Sequence, residues 1–268
     1  MKSIISVKNR ALLAEMIRTD FKLRYQGSAL GYLWSILKPL FLFAIMYAVF
    51  AKFLRLGAGT PNYALSLLLG IVLWNFFTEA TSGALKSVVA KGSLIRKIDI
   101  PRFLIPISAT ASAFINMLLN LVVVFIFVAF GTGTAVSPLT LVIFPLLILE
   151  LLIFTLAVGF FFSAVYVKLR DIDYIWEVAR QALFYATPII YPLSRVPYDF
   201  AQKIIILNPV AQIIQDARSV ITYDGTLTIA SIYGNTYAHL LSLLIVVASL
   251  IIGLGYFNKH AKYFAEDV

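Results

Sequence analysis

Residues 139–167 read LTLVIFPLLILELLIFTLAVGFFFSAVYV, a run with one acid, Glu150, and no base. A hydrocarbon core about 30 Å thick is crossed by about 20 helical residues at about 1.5 Å each. The run exceeds that length and has no period-two alternation, so it predicts a transmembrane helix and not a barrel strand. Its surplus is expected to tilt, bend at Pro145 or project beyond the membrane. Five further stretches qualify in the same way: 31–54, 63–85, 103–130, 173–191 and 237–257. The expected fold is an all-α integral membrane protein, one transmembrane domain over 1–268 with six transmembrane helices.

The composition agrees. Of 268 residues 61% are hydrophobic and 13% charged, with mean hydropathy +0.91. A soluble domain holds roughly 45–50% apolar and 25% charged residues, so lipid must be part of the solvent. That excludes an ordinary cytosolic enzyme, a disordered regulator and a secreted disulfide scaffold. Cysteine is absent, which leaves no disulfide, thiolate zinc site or thiol nucleophile. A net charge of +9 would point to nucleic acid in a soluble protein. In a membrane protein it follows from basic loops remaining cytoplasmic, and no nucleic-acid partner is expected. With the N-terminus inside, sixteen of the 22 Lys and Arg fall in inner segments and five, Arg218 among them, in outer ones. That bias, with an even number of crossings, places both termini in the cytoplasm.

Two segments outside the spans carry pattern. Charges from Arg10 to Arg24 interrupt any signal-peptide core. Instead Leu13, Ile17 and Phe21 recur at i+4 with Met16 beside them, while Arg10, Arg18 and Lys22 take another face. This predicts an amphipathic helix over 9–26, lying in the headgroup layer or against a partner. Between the last two spans, Pro197 opens a short helix ending near Leu207, and Asn208-Pro209 forms an N-cap and N1 pair for a second. Val210, Ile213, Ile214, Ala217, Val220 and Ile221 give that second helix one apolar stripe. Residues 197–221 are thus expected to form an interfacial or re-entrant pair, closed by a turn at Tyr223-Asp224-Gly225.

Catalytic chemistry is missing. The glycine pairs at 57–59 and 131–133 lack the following Lys and helix of a phosphate loop. No zinc-protease, nucleophile-elbow or EF-hand pattern occurs. His239 and His260 lack a metal partner, and the outer acids are too scattered for a glycosyltransferase or phosphatase site. No catalytic residue, metal ligand or cofactor is expected in this chain; energy from ATP would have to come from another.

Three features exceed a generic six-span protein. The inner loop 86–102 contains Leu94-Ile95-Arg96-Lys97-Ile98-Asp99-Ile100-Pro101-Arg102. Topology explains its cations but not the aliphatics between them, so a short helix docking on a cytoplasmic partner stands beside a plain loop. The inner turn Lys168-Leu169-Arg170-Asp171-Ile172-Asp173 can either cap its two helices or make such a contact. In the fifth span Glu177, Arg180 and Gln181 share one face, extended by Tyr174 and Tyr185 and ended by Pro188. Membrane-embedded charges face a protein interior or a wet cavity, unless Glu177 and Arg180 simply neutralise each other. Glu79 and Glu150 are further acids needing a partner. Tyr32, Phe43, Tyr47 and Phe50 follow helical spacing on the first span, and Trp74, Phe76 and Phe77 cluster on the second. Belts and core packing account for many aromatics; an aromatic conduit on which sugar rings stack is the sharper alternative.

Asp20-Phe21-Lys22-Leu23-Arg24-Tyr25-Gln26-Gly27-Ser28-Ala29-Leu30-Gly31-Tyr32-Leu33-Trp34, running into Lys38-Pro39-Leu40, resembles the approach to the first span in permeases of bacterial polysaccharide-export ABC transporters. These are the type-2 exporters of O-antigen, capsule and teichoic acid. Three later motifs match in order: Leu94 to Arg102, Lys168-Leu169-Arg170-Asp171-Ile172, and Thr187-Pro188-Ile189-Ile190-Tyr191-Pro192 with Leu207-Asn208-Pro209. The likeness covers nearly the whole chain.

The resemblance implies a permease in the bacterial cytoplasmic (inner) membrane, paired with a second copy of itself and two ABC ATPase subunits that hold ATP and Mg. Its cargo would be a glycan on a polyprenyl-pyrophosphate lipid. Tyr32, Phe43, Tyr47, Phe50, Trp74, Phe77, Glu177, Arg180, Gln181 and Tyr185 would line the channel. Leu94, Arg96, Lys97, Asp99, Arg102, Arg170 and Asp171 would couple to the ATPase. Lys22, Arg24 and Tyr25 would receive the pyrophosphate, or anchor to anionic lipid. Pro188, Tyr191, Pro192, Asn208 and Pro209 would belong to an outer gate. An exporter of a small molecule or drug is the alternative, and a membrane glycosyltransferase a more distant one.

Overall fold

A computed structural model describes residues 6–25, 30–98, 100–131, 138–222 and 225–267, helical almost throughout and without a strand among them. The helices are α1 (Val7–Tyr25), α2 (Trp34–Phe53), α3 (Tyr63–Ala90), α4 (Gly92–Lys97), α5 (Leu104–Gly131), α6 (Thr140–Lys168) and α7 (Ile172–Ala186). They continue as α8 (Asp199–Ile206), α9 (Pro209–Ile221), α10 (Ile229–Tyr233), α11 (Ala238–Ala261) and α12 (Phe264–Asp267). Five of them, α2, α3, α5, α6 and α11, are long and apolar enough to cross a membrane.

The fifth expected span differs. Over 173–191 only the 15-residue α7 is helical, about 22 Å at the rise of an α-helix. It stops because Pro188 disfavours helical backbone at the residue before it, and Thr187 is extended at φ −86°, ψ 133°. Yet the segment travels far. Asp173 meets Lys86, Trp176 bonds to Thr81, Phe184 packs on Trp74, and Tyr63 donates to the Ile190 carbonyl. Residues 173–190 therefore run beside α3 from its Lys86 end to its Tyr63 end, as a short helix continued by a turned, non-helical strap.

α3 is the hub: 78% of its apolar window is buried, against 6% for α2. Its Leu67, Leu69, Leu73 and Phe76 form one core with Leu121 and Val124 of α5, Leu147 and Leu151 of α6, and Ile213 and Ile214 of α9. A second core at the other end joins Met16 of α1, Val88 of α3, Ile95 of α4, Phe160 of α6, Phe257 of α11 and Phe264 of α12. Met16 is the most buried of the described side chains of α1, so the apolar stripe of that helix docks on the chain's own helices. The loop read as 86–102 is narrower than expected, since α3 runs on to Ala90.

α6 packs closely on its neighbours through small residues, as membrane helices do. A Cβ on Gly253 of α11 would lie 2.3 Å from the Ala157 carbonyl oxygen. Gly253→Ala is accordingly expected to push α11 off α6 and cost about 1–3 kcal/mol of overpacking. A lower thermal midpoint in detergent would show it, whereas an unchanged midpoint would mean the helices meet elsewhere.

α8 and α9 meet at 100°. Asn208 accepts from the Val210 amide at 3.1 Å with Pro209 at the first helical position, as the sequence pattern indicates. α9 is not an interfacial helix: it is buried on nearly every side, including Gln212, Gln215, Asp216 and Arg218. α10, opened by a Thr228–Ser231 capping box, has no counterpart in the sequence reading.

Candidate conduit and coupling surfaces

The expected channel residues divide. Trp74 and Phe77 are 5% and 3% exposed. Their rings pack 5.5 Å apart, with Phe184 5.9 Å from Trp74, and Phe154 and Trp176 within 6.0 Å of Phe77. Within one chain this is core packing that holds α7 against α3 and α6, the blander of the two readings. Phe43, Tyr47 and Phe50 are half-buried along α2. Phe43 stacks on Tyr47 at 5.8 Å, and Lys52 stands over the Tyr47 ring at 5.7 Å. The Tyr32 side chain lies outside the described residues.

On α7, Glu177, Gln181 and Tyr185 are exposed. With Arg180, Trp74 and Thr78 they border a recess of about 330 Å³. Arg180 turns toward α3, and among the described residues no ion pair joins it to Glu177. The mutual neutralisation that the i, i+3 spacing allowed is therefore absent. Glu79 accepts from Asn116 at 2.8 Å and Glu150 from Ser242 at 2.8 Å, so both acids have partners.

At the α4 end, Ile95 and Ile100 are buried in the second core beside Phe264. This accounts for two of the aliphatics that the loop left unexplained. Leu94 is half-buried, Arg96 and Lys97 are exposed, and Ile98 is 50% exposed; Asp99 lies outside the described residues. Arg102 donates to the Ala261 carbonyl, which ties it to the end of α11. Arg170 stands over the Tyr166 ring at 5.2 Å, and Asp171 is exposed ahead of α7 without a side-chain capping bond. Asp173 pairs with Lys86 at 2.7 Å and lies in the first turn of α7, where a carboxylate suits the helix dipole. The Lys22 side chain is exposed, while those of Arg24 and Tyr25 lie outside the described residues. Sequence reading missed a tie across this face: Lys91 reaches Asp20 at 2.7 Å and Ser108 at 3.0 Å, joining α1, α3 and α5.

At the Tyr63 end of α3 the strap 187–190 is buried. Non-helical backbone at membrane depth must find its bonds in protein. Arg218 supplies them. Its Nη1 donates to the Pro188 carbonyl at 2.5 Å, Nη2 to Ile189 at 2.7 Å and Nε to Ser66 at 3.0 Å. A Cβ at Gly70 would lie 2.6 Å from Nη2, so a larger residue there would have to displace the guanidinium from the strap. Tyr191 donates from its hydroxyl to the Tyr185 and Ala186 carbonyls at 3.1 and 3.3 Å, closing the end of α7. Pro188 and Pro209 are buried, and Pro192 is half-buried. The charge count puts Arg218 among the cations of the outer segments; the structure adds that it is buried in α9. The overlooked signal is its place four residues beyond Ile214, on the apolar stripe.

Residues 11–222, from α1 through α9, match the family described as ABC-2 type transporter. The chain belongs to that family. Two Klebsiella pneumoniae proteins named O-antigen export system permease protein RfbA are 32% identical to it, over 257 and 258 residues. Each alignment covers 95% of this chain and 94% of the relative. A Myxococcus xanthus protein of the same name is 27% identical over 213 residues, 79% of this chain and 80% of its own.

As an ABC-2 permease the chain is a multi-pass membrane protein of an ABC transporter, and such a permease implies an ATPase partner. The geometry is consistent with that role. The exposed end of α4 and the 168–171 turn offer protein-binding groups, and α2 and α7 present half-buried aromatics and polar side chains. Among the described residues no group of three or more His, Asp or Glu is placed to hold a metal.

Proposed function

We propose that this ABC-2 permease forms the conduit of an ATP-driven exporter that moves a lipid-linked cell-surface polysaccharide across the bacterial cytoplasmic membrane. Support comes first from relatives named for O-antigen export that align over 95% of the chain. Two copies would enclose the path between their α2 and α7 helices. The fifth crossing would be α7 with its strap, the α8–α9 pair would be the outer gate, and both termini would be cytoplasmic. Two separate ATPase subunits, holding ATP and Mg, would bind below α4. ATP-driven closure would push α4 and, through the Lys91–Asp20 tie, α1. Aromatic faces would hold each sugar weakly, so that the polymer binds and still slides. Lys22, Arg24 and Tyr25 would receive the pyrophosphate of the carrier.

Purification of the tagged chain from its host is the test. An ABC ATPase should co-purify, and deletion of the permease should leave finished polymer inside the cytoplasmic membrane. A small-molecule pump would leave surface polysaccharide unchanged, and sugar transfer by the isolated chain would make it an enzyme. If the α2 ring stack lines the path, Tyr47→Ala should slow export several-fold while the complex still assembles. Export at the normal rate would remove Tyr47 from the lining.

A further inference from the structure

α2 is the least embedded of the long helices: only Ser35 and Pro39 of its Trp34–Met46 stretch are buried. Beneath it lies a cavity of about 740 Å³ between α2, α3 and α5, within the range of roughly 300–1,000 Å³ that small-molecule sites occupy. Its polar lining is Lys38 of α2, Asn75, Glu79 and Ser82 of α3, Asn116 and Asn120 of α5, and Arg180 of α7, among apolar side chains. Polar side chains at membrane depth are costly unless they serve one another or a ligand. Some are fixed in place. Asn116 Nδ2 donates to Glu79 at 2.8 Å, and Asn120 Nδ2 to the carbonyls of Asn116 at 2.8 Å and Ser35 at 3.1 Å. Arg180 Nε is buried with no hydrogen-bond partner among the described residues. The Trp34 ring, 42% exposed, also borders the cavity.

This lining discriminates among ligands. An acyl chain would leave the polar groups facing hydrocarbon. A phosphate would find Arg180 and, at the exposed mouth, Lys38, but would also face the Glu79 carboxylate, so charge alone does not decide and the bare-carrier arm of the test below separates it from a sugar. A pyranose ring fits both halves of the lining. Its adjacent hydroxyls are donors and acceptors in pairs, matching a carboxylate, primary amides and a guanidinium. Its C–H face can lie on the Trp34 indole. We propose that this groove is a monosaccharide-binding site within each chain, holding one sugar of the exported glycan beside the conduit between the two copies. The proposal rests on the polysaccharide reading of the function and adds to it a place and a chemistry.

The chain has no cysteine, which makes a single-thiol test clean. Thr78 is half-buried and lines the groove with Arg180. Thr78→Cys is placed in the whole exporter, and its labelling by the water-soluble reagent methanethiosulfonate-ethyltrimethylammonium is timed in membranes from two strains. One makes the complete lipid-linked polymer; the other is blocked at the first sugar transfer and keeps the bare carrier. Labelling should be at least fivefold slower with the polymer, and Glu79→Gln with Asn116→Leu should abolish that protection. If Thr78→Cys stops export, Asn75→Cys is the reporter. Equal rates in both strains while polymer export continues would overturn the site and leave the transport reading intact. Protection by the bare carrier would make it a lipid or anion site, which also overturns the proposal. Failure of the wild-type exporter to move polymer would remove the reading beneath it.

Discussion

Arg218→Met is expected to destabilise the permease more than any other single exchange considered. The methionine fills similar space but removes the donors that hold the Pro188, Ile189 and Ser66 carbonyls. Ser66 keeps its helical bond from the Gly70 amide, so two buried acceptors are left without a partner, at about 1–3 kcal/mol each, roughly 2 kcal/mol at the least. The detergent-solubilised midpoint should fall by about 4–8 °C, at about 2–4 °C for each kcal/mol. Arg218→Lys keeps one charged donor and should lose less. A midpoint for Arg218→Met within about 2 °C of wild type would show that the strap is held by Tyr63 and the apolar core alone. Export should fail together with the fold, because the strap carries α7 into the proposed gate.

The second large effect is functional and leaves the fold in place. Arg96 and Lys97 are exposed at the end of α4, and exposed substitutions usually change stability by about 0.5 kcal/mol or less. Reversing both, Arg96→Glu with Lys97→Glu, replaces two cations by two anions at the proposed ATPase contact. Export should drop at least tenfold while the permease still inserts and the ATPase still hydrolyses ATP. Ile95 remains buried in its core and keeps α4 formed. Undiminished export would move the coupling contact elsewhere, with the exposed turn at Arg170 and Asp171 as the next candidate.

Much of the fold was legible because lipid enforces it. The run from Leu139 to Val167 had to be a helix, and α6 is one, continuous through Pro145. Asn208-Pro209 declared the start of α9 by local chemistry alone. The gaps arose where the partner lies far away in the chain. Ile95 and Ile100 looked like exposed aliphatics because Phe264, which covers them, is more than 160 positions away. Arg218 counts among the outer cations, with no role of its own, because a charge count does not distinguish a solvated guanidinium from one donating to three carbonyls. Hydropathy carries the fifth span on to 191 although Pro188 ends its polar face, because a window average does not register that Arg218 supports the non-helical strap beyond it. Glu177, Arg180 and Gln181 were placed on one face by their spacing. They do border one recess; spacing alone does not show that Arg180 also reaches the cavity beside α3 while the other two are exposed.

The central claim is that ATP hydrolysis in a partner subunit drives lipid-linked glycan through this chain. The most direct measurement places the purified permease and its co-purifying ATPase in inverted vesicles loaded with polyprenyl-pyrophosphate-linked polymer. Lumenal polymer, protected from an added glycosidase, should accumulate with ATP. It should be absent when the ATPase carries a disabled phosphate loop or when this chain is omitted. Accumulation without ATP, or with ATP but without this chain, would contradict the account.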